Sequence, residues 1–343
     1  MDVFLQLTVS GLSNGMVLAL VAVGFVIIYK ASDVINFAQG DFMLFGAFLT
    51  YAFLSQFPLD SGGNIAVLLL ATIAFSLVFL VSTGFKRLIP VTAVCVLAFL
   101  GLTLTQTEGR VLDLVAIGLT LLGAATLGLL VERSVLRPLI GEPIISMIMV
   151  TIGLSSLLKA ITLGIWGSLP RTLETNLIPR GELTLGGAVV GLDRILTIVI
   201  ALTLLIVLSL FFRFTRDGIA MRAIADDQQA ALSMGISIKR VLAVAWAMAA
   251  VTAAIGGFML ANMVGVGHEI TLVGLTVFPV VILGGLDSIP GAIVGGAIIG
   301  LLKAYTAFYF GHGLEEITPY IVLILVLMVR PYGLFGKQII ERV

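Results

Sequence analysis

Two lysines sit where a charge is hard to keep. Lys159 and Lys303 lie in stretches otherwise free of charged residues. An ammonium there needs a counter-charge, hydrogen-bond acceptors or a route to water. Lys303 stands about midway along residues 292–310, flanked by Gly300 and Ala304. It can pair internally or face a pathway. Lys159 lies within a helical turn of the end of 143–162, where a long stem can carry the ammonium out to an interface. Asn14, Asn36, Gln39, Asp41 and Asn262 are the other polar residues in or beside apolar segments. Asn14, grouped with Gly11, Ser13 and Gly15, makes a small polar patch suited to hydrogen bonding between helices, and Asp41 could equally cap the helix that Gln39 and Gly40 open. These residue types bind and position, and they do not break bonds. No nucleophile–base or metal constellation accompanies them, and no Gly-rich loop ending in Lys-Ser/Thr is present to hold ATP. The single cysteine, Cys95, excludes an internal disulfide framework and a cysteine-cluster metal site, and it reads as a small apolar residue in a helix. His268 and His312 have no ligand companions and are read as solvated loop residues.

The elements that carry these residues follow from composition. The chain has 343 residues, of which 59% are hydrophobic and 11% charged. A water-soluble domain carries about 25% charged residues, so the polar skin is missing. Runs such as 241–260 and 195–212 contain no charge and approach the ~20 residues that a helix needs to cross a bilayer. The 38 glycines are scattered through apolar stretches, as small residues are where membrane helices approach closely. Zero formal net charge gives no sign of nucleic-acid binding. The start, MDVFLQLTVSGL, lacks the basic residues of a signal peptide, so 4–29 reads as a retained first helix. Eleven hydrophobic elements are expected, near 4–29, 40–57, 64–83, 88–105, 111–131, 143–162, 194–212, 241–262, 271–286, 292–310 and 317–330. Helices alone satisfy their own backbone groups in lipid, so the fold class is all-α, a polytopic transmembrane bundle forming one domain over 1–343. The elements 40–57 and 271–286 are doubtful as full crossings. The first is short and follows a polar stretch, while the second contains Pro279 and several glycines.

Orientation follows from where Lys and Arg fall. With the loop 213–240 placed in the cytoplasm, the inside receives Lys30, Lys86, Arg87, Arg133, Arg137, Arg213, Arg216, Arg222, Lys239, Arg240, Arg330, Lys337 and Arg342. The outside receives only Arg110, Arg171, Arg180 and Arg194. That asymmetry sets the N-terminus outside and the C-terminus in the cytoplasm. The longest external connection, 163–193, carries Pro170, Pro179 and several glycines, and it reads as a cap or a plain connecting loop rather than a helix.

The cytoplasmic loop from Arg213 to Val241 reads RFTRDGIAMRAIADDQQAALSMGISIKRV. Ile219, Met221, Ala223, Ile224, Ala230, Ala231 and Met234 recur at helical spacing, and Gly235 ends the pattern. One short amphipathic helix is expected here, outside the membrane. Its apolar face must rest on the lipid surface or dock on a partner.

At this loop a resemblance enters. Gln229-Ala230-Ala231, followed after three residues by Gly235, resembles the Glu-Ala-Ala…Gly coupling loop of ABC importer permeases, with Gln229 in place of the usual Glu. Val34-Ile35-Asn36-Phe37-Ala38-Gln39-Gly40-Asp41 is similar to the signature after the first helix of branched-chain amino-acid ABC permeases. Glu132-Arg133…Arg137-Pro138-Leu139 with Thr151-Ile152-Gly153-Leu154, and Leu283-Gly284-Gly285-Leu286-Asp287-Ser288-Ile289-Pro290-Gly291-Ala292, resemble later landmarks of that family, in family order over nearly the whole chain. The departure is an apparent extra hydrophobic hairpin at about 84–110. An even number of added crossings leaves later loops on their original sides.

The resemblance implies the inner-membrane permease subunit of an ATP-driven importer, not an enzyme itself. Its solutes would be branched-chain amino acids or, within the same family, urea, amides or small organic and aromatic acids. It implies two cytoplasmic ATPase subunits that bind ATP and Mg, a second permease forming a heterodimer, and an external solute-binding protein. Arg222, Asp226, Gln229, Ala230, Ala231 and Gly235 would couple to the ATPase, while Asn14, Gln39, Asp41, Lys159 and Lys303 are the translocation-pathway candidates. The family tends to place a Glu and an amide near Lys159 and Lys303, and two cations there could favour a carboxylate-bearing solute. The alternative class is a secondary transporter or channel with an intramembrane charge pair, against which the scarcity of membrane carboxylates counts.

Overall fold

The structure, a computed structural model, describes residues 2–56, 109–173, 178, 181–185, 187–311 and 313–336. The expected elements 64–83 and 88–105, the apparent hairpin at 84–110 apart from its last two residues, and Cys95, Arg180, His312, Lys337 and Arg342 lie outside the described residues.

Helix α1 (Asp2–Ser32) is buried along most of its length, from Gly11 to Ile28, with Asn14 as the exposed exception. A helix that is apolar on all sides belongs at the centre of its bundle. It packs most extensively on α11 (Ile289–Phe310) and on α8 (Ile238–Val264), the second central helix. Glycines make the α1–α11 seam. A Cβ on Gly15 would strike the Gly296 carbonyl, and one on Gly300 would strike the Gly11 carbonyl and the Gly15 backbone, so the two backbones touch with nothing between them.

Around this pair stand α2 (Gln39–Tyr51, extended by one π turn, Ala52–Gln56), α3 (Gly109–Val131), α4 (Ile144–Trp166) and α5 (Leu192–Phe214). Helix α3 continues through a π turn, Glu132–Leu136, into a short 3₁₀ turn, Arg137–Leu139. In an α-helix residues five apart diverge. The wider π turn brings Glu132 and Arg137 to one face, where the guanidinium forks the buried carboxylate at 2.7 and 3.0 Å.

Six helices among the described residues are long and apolar enough to span a membrane. The doubtful segment after α8 is broken. Helix α9 (Glu269–Leu275) and helix α10 (Val277–Gly284) meet at Thr276. Helix α12 (Leu314–Val329) closes the described bundle. The connection 163–193 holds a two-stranded antiparallel ribbon, β1 (Glu182–Leu185) with β2 (Ala188–Gly191), a small addition to the all-α plan. The ribbon touches the start of α1, where the Gln6 amide donates to the Val189 carbonyl at 2.8 Å. At the opposite end of α1, Lys30, Arg222 and Asp287 surround one cavity, so those loops share an end of the bundle, as the charge asymmetry expects.

Candidate functional site

Segment 33–38 leaves the end of α1 and turns back along the bundle, so that α2 begins beside Val21, Gly24 and Ala249 rather than at the bundle's edge. Polar side chains satisfy the backbone that this exposes. The Asn36 carboxamide accepts from the Ala38 N–H at 3.0 Å and donates to the Gln39 side chain at 3.1 Å. Gln39 in turn donates to the carbonyls of Ala249 at 3.1 Å and Val21 at 3.4 Å. From α4, the Thr151 hydroxyl shares its proton between the Ile148 carbonyl of its own helix at 2.8 Å and the Ile35 carbonyl at 3.2 Å, and it accepts from the Phe37 N–H at 3.4 Å. In the first turn of α2, Asp41 is 1% exposed. It accepts from the Ser155 hydroxyl of α4 and, at 3.5 Å, from that of Thr271 on α9. Lys159 and His268 lie close enough to act on it electrostatically. A buried carboxylate persists only when hydrogen bonds and opposite charge replace its water. This junction therefore ties α2, α4 and α9 together.

The five pathway candidates do not share one surface. Gln39 and Asp41 are sealed inside the chain, each 1% exposed. Lys159 is half-buried on α4, close enough to Asp41 to act on it electrostatically. Asn14 is exposed on the N-terminal half of α1. Lys303 is half-buried on α11 with Glu315 and Glu316, from the first turn of α12, as its charged neighbours. One reading is corrected. His268 is half-buried beside the Asp41 junction, with its Nδ1 out of contact with water, so it is not a solvated loop residue. Both amide atoms of Asn262 are buried without a hydrogen-bond partner. Ser155 and Thr271 escaped the sequence reading, and Thr151 entered it only within a landmark, because a hydroxyl in a helix usually bonds to its own backbone, and nothing in the spacing separates the few that reach across. Among the described residues, no group of three His, Cys, Asp or Glu side chains could hold a metal ion.

The loop after α5 folds as two helices, where one was expected. Helix α6 (Arg216–Asp226) is capped by Thr215, whose hydroxyl accepts from the Gly218 N–H at 3.1 Å. Helix α7 (Gln228–Ser233) is capped by Asp227, whose carboxylate accepts from the N–H groups of Gln229 and Ala230, both at 2.9 Å. The apolar face is also not free. Met221, Ile224 and Ala231 are 0%, 7% and 4% exposed, packed into the chain's own core. Ala231 therefore points inward, and the exposed apolar groups are Ile219, Leu232 and Met234, the last 83% exposed. Arg222, Asp226, Gln229 and Ala230 are exposed beside them. Gly235 stops α7 with φ +81°, the left-handed turn expected of it, while its N–H bonds to the Leu232 carbonyl and that of Ile236 to the Ala231 carbonyl. Arg240 pairs with Asp217 at 3.1 Å and fastens the two ends of the loop.

Comparison with known proteins places this geometry. Residues 7–328 match the family model described as branched-chain amino acid transport system / permease component. The chain is 28% identical, over 346 residues, to the high-affinity branched-chain amino acid transport system permease protein BraD of Pseudomonas aeruginosa, covering 99% of this chain and 98% of that one. It is 27% identical, over 349 residues, to the permease protein LivH of the corresponding system in Escherichia coli, with the same coverage. No solved structure matches.

Proposed function

Because this chain belongs to the family of branched-chain amino acid transport system permease components, we propose that it is the transmembrane subunit of an ATP-driven importer of branched-chain amino acids. It lies in the bacterial cytoplasmic membrane with its N-terminus outside and its C-terminus in the cytoplasm. ATP is bound and hydrolysed by two partner ATPases, a second permease completes the pathway, and an external binding protein delivers the solute. Closure of the ATPases moves α6 and α7, and these pass the movement to α1 and α8, against which α6 packs.

The observation that carries this reading is the exposure of Leu232, on a helix that a left-handed glycine stops, and of Met234 just beyond it. Two such side chains stay in water only at a cost, which docking on a partner removes. Leu232→Asp and Met234→Asp are therefore expected to leave folding and membrane insertion intact while the ATPases no longer copurify. Copurification at the wild-type ratio, with full solute-stimulated ATP hydrolysis, would remove α7 from the coupling path. Purified permease tested in liposomes with an ion gradient and no ATPase distinguishes the importer from a secondary transporter, since only the latter would move solute.

A further inference from the structure

The cavity at the end of the bundle that carries α6 is of ligand size and lies away from the Asp41 junction. Its volume is about 530 Å³, within the range of small-molecule sites. Four pieces of chain build it: the last turn of α1, helix α6, the turn 285–288 and the segment after α12. That last segment is fixed in place. The Leu334 N–H bonds to the Leu283 carbonyl at 2.8 Å and the Phe335 N–H to the Gly284 carbonyl at 3.0 Å, and the backbones of Gly285 and Gly336 come so close that a Cβ on Gly285 would not fit.

The lining is chemically mixed. Asp33 and Asp287 stand near enough to the Tyr29 hydroxyl to act on it electrostatically, so the two carboxylates share one side of the cavity. Lys30 on α1 and, on α6, Arg222 and Asp226 complete the charged lining, and the Arg222 guanidinium donates to the Arg213 carbonyl at 3.2 Å. Ile282, Leu286 and the ring of Pro331 supply apolar wall, and Tyr332 an aromatic one. Asp33 holds φ +54°, the one non-glycine residue with positive φ among the described residues. That conformation is costly, and such strain persists where the surrounding structure holds it, often at a ligand site.

We propose that this cavity binds a free amino acid with an apolar side chain. The ammonium would face Asp33 and Asp287, the carboxylate Arg222, and the side chain the wall of Ile282, Leu286 and Pro331. The proposal rests on the transport reading above, and it adds a site on the side where solute is delivered. A ligand there bridges α1 to α6. It would resist the movement by which α6 couples to the ATPases, so accumulated product slows its own import.

The test uses the complete importer in proteoliposomes. Initial ATP-driven leucine uptake is compared between empty vesicles and vesicles preloaded with leucine, with 4-methylpentanoate or with 3-methylbutylamine. Internal leucine is expected to slow uptake several-fold, while the analogues lacking the ammonium or the carboxylate have little effect. Asp33→Asn keeps a residue that tolerates positive φ, and Asp287→Asn keeps the shape of the turn. Both should take up leucine normally into empty vesicles and lose the inhibition. Failure of the wild-type complex to take up leucine into empty vesicles would count against the transport reading. Normal uptake that internal leucine leaves unchanged, or inhibition that persists in both variants or that either analogue reproduces, would overturn the proposal itself.

Discussion

Asp41 shows what a single buried charge does in this chain. Its carboxylate collects a hydroxyl from α4 and another from α9, with Lys159 and His268 nearby. Removing it leaves those hydroxyls without their acceptor, a loss of about 1–3 kcal/mol for a buried polar group left unsatisfied. Asp41→Ala is expected to lower the thermal unfolding midpoint of the detergent-purified chain clearly. Asp41→Asn, which still accepts from Ser155, should lower it less. An unchanged midpoint in Asp41→Ala would mean that the junction holds nothing together. Lys303 is read in the same way from its neighbours Glu315 and Glu316. Lys303→Met should reduce accumulation of folded chain, and adding Glu316→Gln should restore part of it, a non-additivity that a double-mutant cycle measures. Restored accumulation with lost uptake would instead put Lys303 on the pathway. Sequence made Asp41 and Lys303 visible because charge is rare in apolar runs. It hid His268, because a histidine after Gly265-Val266-Gly267 reads as loop, and only the return of segment 33–38 into the bundle brings Asp41 to it.

At the scale of elements, the apolar periodicity located every spanning helix among the described residues and misjudged the loop after α5. The pattern from Ile219 to Met234 continues at helical spacing, and this concealed the break at Asp227. The signal was present: an Asp directly before Gln-Gln-Ala-Ala is a helix cap. The consequence is testable, because Ala231 and Met234 now have opposite roles. Ala231→Asp buries a charge in the chain's own core, so it should reduce the amount of folded permease, whereas Met234→Asp should affect only ATPase association. Gly235→Val must hold a β-branched residue in a left-handed conformation, at a cost of about 1 kcal/mol or more. It should therefore insert normally and bind the ATPases poorly, read by copurification. The break at Thr276 between α9 and α10 was foreshadowed by Pro279 and the glycines around it, whereas the π turn that joins Glu132 to Arg137 leaves no mark in the sequence.

At the scale of the whole molecule, burial is lopsided. Helices α1 and α8 are enclosed, whereas α4, α5 and α12 carry rows of exposed Ile, Leu, Val and Met, the surfaces that lipid or a second permease would cover. The ribbon β1–β2 marks one end of the bundle and the loop 213–240 the other. A reporter inserted at Gly187 should therefore read external and one at Gly235 cytoplasmic, and a shared side would overturn the orientation. The most direct measurement of the central claim is initial uptake of radiolabelled leucine into proteoliposomes that contain this permease, its partner permease, both ATPases and the binding protein. Uptake against a gradient is predicted only with internal ATP, with leucine, isoleucine and valine competing and urea not, and it should fall to background with Met234→Asp. Leucine accumulation without ATP, or ATP-driven accumulation that Met234→Asp leaves unchanged, would contradict the account.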